Sequence, residues 1–186
     1  MIELSVIRDL VAIFGVIAGF SYYVLTVRNA QKARQTTMLM QLHQARYDVE
    51  GSKRFWRLLA LHFDDFDDYL ERYGPIKKPE EEEVRALFST EASFYDGLGM
   101  MLKKGIVDRD SVFDLFGVRC VMVWFKLEIL IKGLRTLSSQ GGGTALYENF
   151  EHVADEMIRM TKQRGQPLPV DFLHSKSELH EEYSNP

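Results

Sequence analysis

Cysteine occurs once in the 186 residues, at Cys120, so no disulfide can close within the chain and no zinc site can be built from thiolates alone. A lone cysteine fits a reducing compartment, and its apolar neighbours Val121 and Met122 mark it as a small buried hydrophobe. No Asn-x-Ser/Thr sequon is present. No basic stripe dominates a chain of net charge -4, which removes the electrostatic footprint of a nucleic-acid binder. The glycines of the QGGGT stretch, 140–144, lack the GxxxxGK[ST] pattern and a preceding strand, so they read as a flexible break and not as a phosphate cradle. No GxSxG elbow marks a nucleophile, and no Glu-x-x-His pair supplies half of a di-metal bundle site. Without a catalytic motif the chain is expected not to be an enzyme and to carry no cofactor. With 46% hydrophobic and 27% charged residues it can nevertheless bury a real core.

The longest apolar run supplies the firmest expectation. Residues Leu10 to Val27 read LVAIFGVIAGFSYYVLTV, an uncharged 18-residue stretch. At about 1.5 Å per residue it covers roughly 27 Å of a bilayer's apolar thickness. The preceding charges Glu3, Arg8 and Asp9 nearly cancel, and no small-x-small cleavage site follows, so an uncleaved anchor is expected in place of a signal peptide. Arg28, Lys32 and Arg34 follow the run, whereas only Arg8 is basic before it; this places the amino terminus outside and the carboxyl-terminal domain in the cytoplasm of a single-pass cell-membrane protein. Ala12, Gly15 and Gly19 form a small-residue face that would let a second copy approach, giving a possible homodimer.

The rest predicts an all-α antiparallel bundle of four to five helices, residues 28–164, followed by a polar tail over 165–186. A first segment, Asn29 to Glu50, continues the anchor without a Pro or Gly before Gly51, and carries Met38, Leu42, Ala45 and Val49 as a narrow stripe. A second, Ser52 to Tyr73, places Phe55, Leu58, Leu59, His62, Phe66, Tyr69 and Leu70 on one face and ends at Gly74-Pro75. The third begins at Pro79, where Glu80 to Glu83 complement the helix dipole, and runs to Lys104; its stripe is Val84, Leu87, Phe88, Tyr95, Leu98 and Leu102. After Gly105, with Asp108 or Asp110 as cap, the fourth runs from Ser111 to Ser138 and is too often interrupted by charge to be a second span. The last, Ala145 to Arg164, aligns Leu146, Phe150, Val153, Met157 and Met160.

The order of an amino-terminal anchor, FWRLLALHF, SFYDGLGMMLKKGIVDRDSVFDLFG and VWFKLEILIKGLR resembles prokaryotic single-pass membrane proteins grouped as a domain of unknown function. The likeness extends over roughly residues 10–137, and its most distinctive part is the helix, GIVDRD turn and DLFG helix start. It implies a small membrane-anchored helical domain and brings no activity with it.

Charges on buried stripes are the sharpest candidates for a site. Glu91 lies mid-stripe in the third helix, and Arg119 and Lys126 lie on the apolar side of the fourth, near Trp124. Burying any of these charges alone is costly, so Glu91 is expected to pair across the interface, with Arg119 favoured for its planar fork and Lys126 as the alternative. His62 and Asp65, three apart, are weak metal candidates; His152 reads as a solvated helix histidine, and His174 and His180 belong to the tail. The expected function is a membrane-anchored interaction or scaffold module with the lipid bilayer and a protein as partners and no nucleic acid. The alternative is a tethered sensor or regulatory domain binding a small ligand in a polar pocket near Glu91, Arg119 and Trp124.

Overall fold

The computed structural model describes residues 4–74, 79–139 and 145–169. Among these residues it is entirely helical, with six helices and no strand: α1 (Leu4–Tyr47), α2 (Val49–Leu59), α3 (Phe66–Tyr73), α4 (Pro79–Lys103), α5 (Arg109–Ser139) and α6 (Glu148–Gln163). The expected glycine break at 140–144, the Pro75 stop, and His174 and His180 with the tail beyond Pro169 lie outside the described residues.

The chain divides into two compact units, Met1–Gln41 and Leu42–Pro186. The first is the amino-terminal part of α1, which among the described residues is the one helix long and apolar enough to cross a membrane. None of its apolar window is buried in protein; Phe14, Val16 and Phe20 are exposed, and a Cβ added at Gly15 or Gly19 would meet nothing within 4 Å. In water such a surface would be costly, at roughly 25 cal/mol per Å² of apolar area; in a bilayer it is solvated.

In the second unit α4, α5 and α6 pack on one another, and α2 and α3 both lie against α4 and α5. Most of each stripe foreseen for the third and last helices faces this core, but Leu102 is half-buried, and Leu146 lies before α6 and is exposed. Val84, Leu87, Phe88, Tyr95 and Leu98 of α4 are buried, as are Phe150, Val153, Met157 and Met160 of α6. α5 contributes on more than one face, through Val112, Phe116, Val123, Trp124, Leu127 and Ile131.

Two boundaries differ from the sequence expectation. The first segment does not continue to Glu50: α1 stops at Tyr47, and Asp48 in extended conformation caps a new helix by accepting the Gly51 amide at 2.6 Å. Nor is Ser52 to Tyr73 one helix. It breaks over 60–65, because Asp65 caps α3 through the Asp68 amide at 2.8 Å and the Lys126 ammonium takes the Leu61 carbonyl that an uninterrupted helix would use. Neither break contains Gly or Pro. Both are written in an aspartate and in a partner from elsewhere in the chain.

The turns that end α4 and α6 follow their residues closely. Gly105 and Gly165, at φ of 65° and 64°, adopt the left-handed conformation that ends α4 and α6. In each, the next amide reaches back five residues, Ile106 to Met101 and Gln166 to Thr161, while the glycine amide reaches back three. Of the two proposed caps for α5, Asp108 fills the role, accepting the Ser111 amide at 2.8 Å.

Candidate functional site

Glu91 projects from the middle of α4 into the interface and is 4% exposed. Its partner is neither Arg119 nor Lys126 but Arg46, from the last turn of α1, at 2.7 Å. Arg46 also donates to the Thr90 carbonyl at 3.1 Å, and its guanidinium lies 4.0 Å from the centre of the Phe94 ring. Burial raises the Glu91 carboxyl above its usual range against the opposing pull of Arg46, Arg54 and Arg119. Burial likewise lowers Arg46 against the opposing charge of Glu91. Desolvation therefore outweighs attraction for both members, the usual balance of an enclosed ion pair.

Arg119 has a different task. It donates to the Arg46 carbonyl at 3.0 Å and to Ser52 Oγ at 3.2 Å, and its guanidinium sits 3.7 Å from the Tyr47 ring centre and 4.6 Å from that of Phe55. The Tyr47 hydroxyl donates to the Leu115 carbonyl at 2.9 Å, and the Tyr47 ring stacks on His43 at 4.0 Å. Arg119 thus satisfies the Arg46 carbonyl, left open where α1 gives way to α2. Lys126 does the same at the second break, lying 4.3 Å from the Phe63 ring centre; burial lowers its pKa.

Trp124 stands apart from these charges: it is 3% exposed and meets Phe150 edge-on at 5.1 Å. The three residues of the envisaged polar pocket go to separate contacts: Glu91 to Arg46, Arg119 to the Arg46 carbonyl and Ser52, and Trp124 to Phe150. His62 is exposed in the turn after α2, and Asp65 is engaged as the α3 cap, so the two do not share a helical face. Among the described residues no three His, Cys, Asp or Glu side chains gather as a metal site. Cys120 is buried, and burial pushes its thiol far up, which leaves it unreactive.

Three features went unread in the sequence. Asp96 of α4 accepts the backbone amides of Asn149 and Phe150 at the start of α6, at 3.0 and 3.1 Å. The residue at the α6 N-cap position, Tyr147, has a positive φ of 56° and provides no cap of its own. The second feature is an open groove beside α2, lined by Tyr47, Val49, Ser52, Lys53 and Trp56, in which Val49 is 71% and Trp56 53% exposed. The third is a more enclosed cavity of about 390 Å³ among α3, α4, α5 and the turn before α6, with Tyr69, Tyr73, Arg85 and Tyr147 around an apolar floor. An Asp beside glycines in SFYDGLG, and a helix start with no polar cap, were the available signals for the first; the other two follow only from how the helices meet.

A family model described as a domain of unknown function (DUF4760) matches residues 9–157. No curated protein and no solved structure matches the chain.

Proposed function

The chain belongs to the family described as a domain of unknown function (DUF4760), and from that premise we propose that it is a membrane-anchored interaction module whose α2 face receives a protein partner. The exposed pair Val49 and Trp56 carries this reading. They lie seven apart on one face of α2, where two turns of helix bring them together, and large exposed apolar side chains around a groove are the usual anchor of an interface. Lys53 and Arg57 border them and already pair with Glu50 and Glu83, giving a polar rim to an apolar centre.

The apolar run Leu10–Val27 would hold the module at the bilayer, and the excess of Arg28, Lys32 and Arg34 after it supports a cytoplasmic second unit. Photo-cross-linking in cells tests the interaction reading. A photoreactive residue at 56 should give a discrete adduct, as should one at 49, where Trp56→Ala removes it, while the same residue at exposed position 162 should give none. Identical patterns at all three positions would refute the α2 face.

A further inference from the structure

We infer that the cavity enclosed by α3, α4 and α5 binds a small single-chain amphiphile through one carboxylate head and an alkyl body. At about 390 Å³ it lies within the range of small-molecule sites, roughly 300 to 1,000 Å³. Its floor is hydrocarbon: Leu70, Phe88, Leu130 and Leu134 come from three different helices, and an alkyl chain laid on them leaves water at roughly 0.8 kcal/mol per methylene.

The polar groups converge on one sign of charge. Among the described residues Arg85 is the only charged side chain of the lining. Among the described residues it makes no ion pair, and the hydroxyls of Tyr69, Tyr73 and Tyr147 make no hydrogen bond. A planar guanidinium with phenolic donors nearby suits a carboxylate, which takes two parallel hydrogen bonds from such a fork. No carboxylate among the described residues lines the cavity to repel it. A dianionic or polyphosphate ligand would call for more cations than the one that the described lining offers. The site is separate from the α2 groove and does not rest on the interaction reading.

The probe is radiolabelled decanoate, measured by equilibrium dialysis against the full chain in phosphatidylcholine nanodiscs, with empty nanodiscs subtracted for bilayer partition. A saturable component stoichiometric with the chain is expected. Arg85→Ala should weaken it about tenfold or more, as loss of a charge-assisted bond does, and Arg85→Lys should retain part of it. Ser89→Trp should fill the cavity and abolish binding; Arg85 is an exposed α4 residue, so its variants keep the test valid if the tryptophan variant fails to fold. Decanol should compete poorly and inorganic phosphate not at all. No saturable component, binding unchanged by Arg85→Ala, or equal competition by decanol or phosphate would overturn the assignment.

Discussion

Asp96 on α4 caps α6 at a distance: one carboxylate oxygen accepts the amides of both Asn149 and Phe150, and the other accepts the Asn149 side-chain amide at 3.3 Å. A helix start normally finds its cap in the residue just before it. Here that place is held by Tyr147 in a left-handed conformation, and the cap comes from 53 residues earlier. The two helices can lie this close because Gly99 carries no side chain; a Cβ there would stand 1.9 Å from the Asn149 carbonyl oxygen.

Asp96→Ala should therefore cost about 1 to 2 kcal/mol, the upper part of the range for a lost cap, because it strands two amides at once. Gly99→Ala should cost about as much or more by forcing α4 from α6, with overpacking typically at roughly 1 to 3 kcal/mol. Chemical unfolding of the full chain in detergent measures both. A loss below a few tenths for Asp96→Ala would show that water caps α6 equally well.

Removing one member of the Arg46–Glu91 pair leaves the other charge enclosed, so Arg46→Ala or Glu91→Ala should each cost roughly 3 to 5 kcal/mol. Replacing both, Arg46→Met with Glu91→Leu, should recover much of the loss, since burial already outweighs attraction on each side. Arg119→Met is expected to behave differently and not to be rescued by Glu91→Leu, because Arg119 serves carbonyl and hydroxyl groups. The double-mutant cycles read this directly.

Acid sensitivity should be traceable to Asp108. The backbone amide of Ser111 holds its carboxyl below the ordinary 3.8, so the folded chain binds this proton more weakly than the unfolded chain. Its stabilisation is fully present above about pH 4 and is lost as the pH falls through the lower folded value. Asp108→Asn keeps a cap but has no proton to gain. It should change stability little at pH 7 and flatten the acid limb of the unfolding curve below pH 4.

Gly15→Ile with Gly19→Ile tests self-association of the first unit. Both glycines face open space, so the substitutions should be tolerated by the helix while blocking close approach of a second copy. An association signal in a membrane assay should fall. An unchanged signal would dispose of the small-residue face. Protease added from the cytoplasmic side, which should remove the second unit and spare the anchor, tests the orientation separately.

Much of the fold was legible because it rests on local periodicity. The stripes of α4 and α6 and the glycine-terminated ends at Gly105 and Gly165 are each signalled within a few turns of helix. The pairing of Glu91 was not. Helical projection shows that a charge is buried without saying which helix answers it, and Arg46 sits beside Ala45 in a stretch whose stripe looked purely apolar. The breaks at Asp48 and over 60–65 escaped for a related reason. Their aspartates look like ordinary solvated charges until Gly51 and Asp68 turn their amides toward them, and the Leu61 carbonyl is freed only because Lys126 arrives from α5. Glu91 is buried, but Arg119 and Lys126 bind backbone carbonyls, and the groove and cavity require the assembled helices.

The remote cap also gives the chain a timetable. During synthesis Asp96 leaves the ribosome 53 residues ahead of Asn149, which at about 5 to 20 residues per second is a delay of roughly 3 to 10 s. Over that interval Tyr95, and Trp124 once it is made, lack the cover of Phe150, and Asp96 has no helix to hold. α6 lacks its cap until α4 is in place, and α4 and α5 lack the cover that α6 gives them. A nascent chain stalled between them would be the form most exposed to chaperones and proteases, so closure of this unit waits on the synthesis of α6.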